Sequence, residues 1–284
     1  MSAHLFFLPP VFHYINVPMA EMRQDAQLKS AVVSSARAFE EVRILQEEGD
    51  WRRIETLSDH YCGWVKKEVL CQTSEAYLKT ARLTAKVSRL AAFLYEQPEI
   101  VFGPALRLPF EVLLEVVEPL ERSSPSRFLK VRLPDCREFY AQRGDLELEP
   151  AFLSQEAMAA ISLRFLDLPY LWGGRTSFGY DCSGFTQMLY RQMGLFIPRD
   201  AKDQILWEGF EPIAFADLKP GNLIFWGTAE TCICHVGLYL GEGRFIHTSP
   251  SENRPWVRLS HLSDESWNCS GVYKYRQAVA LKPQ

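Results

Sequence analysis

The sequence predicts an α+β protein in which two strand-rich segments precede a segment that mixes helices with antiparallel strands. Period-two alternation, broken by acidic or glycine-containing turns, runs through residues 17–70 and again through 81–148. A helical period replaces it behind Ser154, a residue suited to cap a helix. After that helix come a glycine-rich loop, a second helix and strand–turn–strand patterns.

Composition narrows the function. The 284 residues are 47% hydrophobic and 23% charged, enough to bury one large core or several small ones. With Lys+Arg at 31 against Asp+Glu at 35, the net charge of -4 offers no basic stripe for a phosphate backbone or an anionic membrane. No nucleic acid partner is expected. No apolar run approaches the roughly 20 residues that span a bilayer, so no membrane insertion is expected either. The opening stretch, Met1 to Pro10, lacks a basic region and its apolar run stops at two prolines, which reads as a cytoplasmic protein. A monomer is expected.

The chain has seven cysteines, too few and too irregularly spaced for a disulfide framework. Cys62, Cys71, Cys136 and Cys269 are expected to be small buried side chains. Cys232, Cys234 and His235 could be read as metal ligands, but no second pair follows at zinc spacing, so no metal is expected.

In the first segment residues 41–46 alternate, Glu47 to Asp50 form a turn, and Trp51 opens the next strand. Ser58, Asp59 and His60 then break the pattern before Tyr61-Cys-Gly-Trp-Val65. In the second segment residues 82–87, 110–116 and 128–132 read as strands, 121–127 as an exposed hairpin loop and 147–150 as a junction. The expected domains are therefore 1–76, 77–150 and 151–284.

The chemistry lies in the third. Residues 155–166 read as a helix, and Trp172, Gly173, Gly174 and Gly179 as a loop. A second helix then runs over 181–193 and ends at Gly194. Cys182 is thus placed at a helix N-terminus, where free amides and the helix dipole favour a thiolate; an inert buried cysteine is the competing reading. A thiol nucleophile needs an imidazole held by a third group. Residues 218–222 turn into a strand at 223–226, 235–240 form a second strand, and 244–247 return after Gly241-Glu-Gly243. If that hairpin closes on three residues, Gly237 faces His247, and His235 and His247 share a face as diagonal neighbours. A two-residue closure sends them to opposite faces.

Tyr170-Leu-Trp-Gly-Gly174, Asp181-Cys-Ser-Gly-Phe185, Ile197-Pro-Arg199, Leu218-Lys-Pro-Gly221, His235-Val-Gly237 and Ile246-His247 together resemble, in order and spacing, the signature of NlpC/P60 peptidases. The 61–65 stretch resembles the end of a bacterial SH3 domain, with His60 where such domains carry glycine, and the second segment is similar enough to be a divergent copy. The resemblance implies a papain-like catalytic domain, with helices packed on an antiparallel sheet, behind two small SH3-like barrels. It implies Cys182 as nucleophile, His235 as base and His247 as the residue orienting that base. It also implies no cofactor, and as partners peptides derived from peptidoglycan, cut between γ-D-glutamate and a diamino acid. In the recycling members that this chain resembles, an SH3 domain walls the groove and short peptides with a free N-terminal L-alanine are accepted. Tyr170, Asp181, Ser183 and the SH3-borne Tyr61 match their substrate-binding positions, and Glu21 and Asp25 are candidates for an additional acid. Ala201 and Asn222 depart from the pattern, which has serine and aspartate there. An N-acetylmuramoyl-L-alanine amidase and a non-catalytic wall-binding protein are the alternative readings.

Overall fold

The computed structural model describes residues 10–117, 126–250 and 253–283. The expectations for residues 1–9 and for the loop at 121–125 lie outside them. The chain forms two compact units, the first holding the strand-rich segments and the second running from Ala151 onward and taking in Val32–Ser35.

The first strand set, β1 (Phe12–Ile15), β2 (Met19–Arg23), β3 (Val32–Arg37), β4 (Glu41–Glu48), β5 (Trp51–Thr56), β6 (Cys62–Lys66) and β7 (Leu70–Thr73), pairs in the order β3-β2-β6-β5-β4-β1-β7. A second set follows: β8 (Thr84–Val87), β9 (Ala91–Tyr95), β10 (Leu106–Pro109), β11 (Leu113–Val116), β12 (Phe128–Arg132), β13 (Glu138–Gln142) and β14 (Leu146–Leu148). These pair as β10-β9-β13-β12-β11-β8-β14. The second order is the first with each strand advanced seven places, and in both sets a short 3-10 helix, Lys67–Val69 or Arg143–Asp145, joins the last two strands. Alternating side chains such as Val87, Leu94, Leu114, Leu129 and Val131 are fully or nearly fully buried in the second set, as a half-buried sheet requires. The expected turn at 47–50 is tighter than read: Glu48 pairs with Trp51, leaving Gly49 and Asp50 to close the hairpin. His60 adopts φ 57, the left-handed conformation that explains why glycine suits that position.

The second unit opens with α1 (Gln155–Ser162), whose cap Ser154 accepts through Oγ from the Ala157 N–H at 3.2 Å. A 3-10 turn at Leu163–Phe165 carries the expected helix to nearly its predicted end. The short strands β15 (Arg175–Thr176) and β16 (Gly179–Tyr180) lead into α2 (Cys182–Arg191), and α3 (Ala201–Gln204) follows. The antiparallel sheet then assembles from β17 (Phe210–Ile213), β18 (Leu223–Ala229), β19 (Cys232–Gly241), β20 (Arg244–Thr248), β21 (Val257–His261) and β22 (Tyr275–Leu281), in the order β17-β22-β18-β19-β20-β21. Helix α2 packs against β19 and β20. Its residues are almost all buried, and Phe165, Tyr180 and Phe185 meet beneath it with ring centroids 5.6–6.1 Å apart.

Two expectations are corrected. The β19–β20 hairpin closes on two residues, Glu242 and Gly243, not three, since Gly241 pairs with Arg244. A bulge between Tyr239 and Gly241 absorbs the extra residue, so Leu238 pairs with Ile246 and Gly237 still stands beside His247. The bulge, rather than the turn length, keeps both histidines on one face. Among the cysteines, Cys136, Cys232 and Cys234 are exposed and Cys62, Cys71 and Cys269 half-buried, so none of the four expected in a core is fully buried. Cys136 occupies a left-handed turn position, φ 67, between β12 and β13.

Glu242 and Gly243 adopt φ 51 and 72, the two positive values that a tight hairpin turn needs. Glu242→Asn should raise the unfolding free energy by roughly 0.5–1 kcal/mol, because asparagine tolerates this conformation better. Gly243→Ala should lower it by about 1–2 kcal/mol or more, since its Cβ would also fall 2.3 Å from His261 Nε2. Urea titration of the two variants checks both signs.

Candidate active site

The site is built on the start of α2. Asp181 caps the helix, its Oδ1 accepting from the Gly184 N–H at 2.7 Å, while its Oδ2 accepts from the Gly173 N–H at 3.0 Å. Arg199 closes on both oxygens, Nη1 to Oδ1 at 3.1 Å and Nη2 to Oδ2 at 2.5 Å, a buried bidentate pair. Ser183 Oγ donates to Asp181 at 3.3 Å and accepts from Arg199 at 2.9 Å. One carboxylate therefore ties the glycine loop, the helix start and the 199 turn together. Glycine is required at 184, where a Cβ would sit 2.1 Å from the Gly174 carbonyl oxygen. Within the same unit, Ser34 Oγ accepts from Arg199 Nε at 2.9 Å, Ser35 Oγ donates to the Gly173 carbonyl at 3.0 Å, and the Ser35 carbonyl accepts from Arg175 Nη1 at 3.0 Å.

This geometry leaves Cys182 as the first residue of α2, half-buried. Its sulfur lies where the Val236 N–H, one residue past His235 on β19, donates to it. His235 is buried, and its Nε2 lies 2.9 Å from His247 Nδ1. His247 Nε2 in turn lies 3.0 Å from Ser260 Oγ, on the neighbouring strand β21. For His235 to act as a base, Nδ1 must be the free nitrogen. Nε2–H then donates to His247 Nδ1, and His247 Nε2–H donates to Ser260 Oγ. Trp267 covers both rings, with centroids 5.0 Å from His235 and 4.6 Å from His247, and Tyr273 stacks on Trp267 at 5.3 Å.

Electrostatics set the resting state. Burial, then the Asp181 carboxylate, push the Cys182 thiol up to about 12, against the lowering by the Val236 and Ser183 amides. Burial and the Arg258 guanidinium push His235 down to about 3, and burial, His235 and Arg258 hold His247 well below the usual imidazole value. The resting pair is a neutral thiol and a neutral imidazole. The thiolate expected from the helix end is disfavoured first by burial and then by Asp181, which caps the same end and sets a negative charge beside the sulfur.

Of the residues singled out from sequence, the second unit gathers Cys182, His235, His247, Asp181, Ser183 and Tyr170. Tyr170 is half-buried, and burial with the nearby Asp181 and Cys182 raises its hydroxyl, so it stays a hydrogen-bond donor at working pH. Asp181 and Ser183, singled out for the substrate, also carry structural bonds: Asp181 to Arg199 and the Gly184 N–H, and Ser183 to Arg199 and Asp181. Asp200, half-buried next to Arg199, adds a second carboxylate to that corner. Tyr61, Glu21 and Asp25 belong to the first unit, Glu21 pairing with Arg23 and Asp25 bonding Ser30 at 2.9 Å. The Asn222 side chain caps its turn, accepting from the Lys219 N–H at 2.8 Å. Sequence reasoning missed Ser260, Trp267, Tyr273 and Arg258. Only the alternation of β21 hinted at Ser260, by giving it the same facing as Arg258.

A cysteine at a helix head and a hydrogen-bonded imidazole pair on the sheet behind it define the catalytic architecture of a thiol hydrolase. Residues 167–274 match the NlpC/P60 family and residues 16–71 match the bacterial SH3 domain. The chain belongs to the NlpC/P60 cysteine peptidase family. It is 30% identical over 218 residues to a gamma-D-glutamyl-L-lysine dipeptidyl-peptidase of Bacillus subtilis, covering 74% of this chain and 69% of that one. With the protein of the same name from Bacillus cereus it shares 27% over 284 residues, covering 88% and 82%. A shorter stretch of 107 residues is 40% identical to a gamma-DL-glutamyl hydrolase of Bacillus subtilis. In fold it matches the crystal structure of an NlpC/P60 family protein from Bacillus cereus with a TM-score of 0.82 at 22% identity, covering 96% of this chain and 100% of that one.

With no substrate present, alkylation of Cys182 by iodoacetamide should rise about tenfold per pH unit from roughly pH 6 to 9, because the raised thiol ionises only above that range. Peptide mapping by mass spectrometry separates Cys182 from the other thiols. A rate independent of pH at the acid end would indicate an ion pair instead. Ser260→Ala should lower kcat of the peptidase by about tenfold and leave KM near its original value, one hydrogen bond's worth of orientation. Ser260→Thr should restore most of the loss.

Proposed function

We propose that the protein is a cysteine endopeptidase that hydrolyses the bond between γ-D-glutamate and a diamino acid, such as meso-diaminopimelate, in peptidoglycan stem peptides. The observation that carries this reading is Cys182 at the head of α2, served from β19 and β20 by the hydrogen-bonded His235–His247 pair. The names of the two dipeptidyl-peptidases and of the gamma-DL-glutamyl hydrolase support a γ-glutamyl bond as the target.

The chemistry follows from the neutral resting pair. As substrate enters, His235 Nδ1 takes the thiol proton while sulfur bonds to the amide carbon. The Cys182 N–H, with no described residue as acceptor, and the Tyr170 hydroxyl are aimed at the developing oxyanion. The C–N bond then breaks as the imidazolium returns its proton to the amine, and a water molecule activated by His235 hydrolyses the thioester. His247 and Ser260 hold the His235 tautomer throughout.

For the substrate's free amine, we assign the corner of Asp181, Asp200, Ser183 and Arg199. Asp181, Asp200 and Asp203 against Arg199 and Lys202 leave one net negative charge there, which suits an ammonium. The second seven-stranded set is read as a divergent copy of the SH3 domain, supported by its matching strand order. The substrates in this reading are short muropeptides with N-terminal L-alanine, met by a monomeric enzyme in the cytoplasm during cell-wall recycling. No helix among the described residues is long and apolar enough to cross a membrane.

Incubation with L-Ala-γ-D-Glu-meso-diaminopimelate should release diaminopimelate, detected by mass spectrometry. Cys182→Ala should lower the rate by at least about a thousandfold. The N-acetylated peptide should be cut far more slowly. Release of muramic acid from a muropeptide in its place would make the protein an amidase; binding without cleavage, unchanged in Cys182→Ala, would make it a wall-binding protein.

A further inference from the structure

A cleft of about 910 Å³ opens beside the catalytic histidines, its lining including Arg254, Arg258, Ser260, Glu265, Trp267 and Tyr273. Trp267 and Tyr273 are the rings that cover His235, and Ser260 is the residue that holds His247, so one wall of the cleft is the outer face of the catalytic pair. The side of the nucleophile on which a leaving group sits is set by chemistry. The amine expelled from the tetrahedral intermediate takes its proton from His235, so the residue that follows the scissile bond must lie on the His235 side. The opposite corner, with Asp181 and Arg199, is left for the acyl part.

Two arginines of this cleft, Arg254 and Arg258, stand together. Arg258 is half-buried, and its guanidinium bonds only neutral acceptors: the Arg254 carbonyl at 2.7 Å, the Trp256 carbonyl at 3.5 Å and Ser249 Oγ at 2.8 Å. No carboxylate of a described residue pairs with Arg258 or Arg254, whereas Arg199 on the other side of the site is paired with Asp181. Arg254 lies close enough to Arg258 to lower its proton affinity further. A half-buried cation held beside a second one is costly unless an anion joins them. The three neutral bonds fix the fork of Arg258 in place, as bidentate recognition of a planar anion requires. Asp264 and Glu265 line the same cleft and suit an ammonium carried by the same ligand.

We propose that this cleft is the subsite for the diamino acid released by cleavage, with Arg258 and Arg254 binding one of its free carboxylates. The proposal rests on the hydrolase reading above. It makes the enzyme selective for peptides whose diamino acid retains a free carboxylate on the leaving side, and gives Arg258 a substrate-binding role that neither Cys182 nor the histidines share.

The test compares L-Ala-γ-D-Glu-meso-diaminopimelate with two forms of it, one amidated at the carboxyl group nearer the scissile bond and one amidated at the distal carboxyl group. At least one amidation should lower kcat/KM by about tenfold or more, chiefly through KM, and which one does so identifies the carboxylate that is bound. Arg258→Gln should shrink the preference for the unmodified peptide over that amide, a ratio of two kcat/KM values that cancels any common effect on His235, from about tenfold to within about threefold. Arg254→Gln should shift the ratio in the same direction by a smaller factor. Equal cleavage of all three peptides by the unaltered protein overturns the subsite, as does an unchanged preference in both arginine variants. Cleavage of none of the three overturns the hydrolase reading itself.

Discussion

The Asp181 carboxylate is the constraint on which the catalytic unit depends. It caps α2, holds the Gly173 amide and takes both prongs of Arg199, all in a buried position. A buried ion pair of this kind is weak evidence of net stability, because desolvation offsets much of its attraction. Its value is positional: losing either partner would leave an uncompensated charge and release the loop from the helix. The same carboxylate adds to burial in keeping the thiol protonated, since the group that fixes the Cys182 backbone also repels a thiolate.

A neutral thiol makes the imidazole chain more important. His235 and His247 are both buried and both resist protonation, so any proton either ring gains must be stabilised by a precise sequence of hydrogen bonds. Nε2–H to Nδ1, then Nε2–H to Ser260 Oγ, gives one consistent direction, and Trp267 shields it from water that would offer alternatives. Strand order supplies the distances: β19, β20 and β21 are consecutive neighbours, so one residue from each stands in a row across the sheet.

What could be read from sequence was what is local. Ser154 and Asp181 mark helix starts by their own side chains, and Gly194, with φ 78, marks an end. Cys182, His235 and His247 could be picked out because each sits at such a landmark or one strand from a turn. The register joining the histidines could not, because the bulge before Gly241 has no residue signature and arises from pairing on both sides of β19. Ser260 and Trp267 were invisible for a similar reason. A serine in an alternating strand and a tryptophan in a polar loop gain meaning only from His247, 13 and 20 residues before them in sequence. Asp181 was legible as a neighbour of the nucleophile but not as a committed one, since Arg199 reaches it only through the fold.

Val32–Ser35 belong with the catalytic unit although more than a hundred residues separate them from its main body. Their backbone and hydroxyls complete the hydrogen bonding of Trp172, Gly173, Arg175 and Arg199. The gene therefore encodes this unit in two exchanges of chain. Recombination at the junction near residue 150 would transfer Cys182 and both histidines but leave behind the strand that finishes their scaffold. Such a protein can diversify by substitution far more readily than by shuffling its modules, and its two halves are bound to change together.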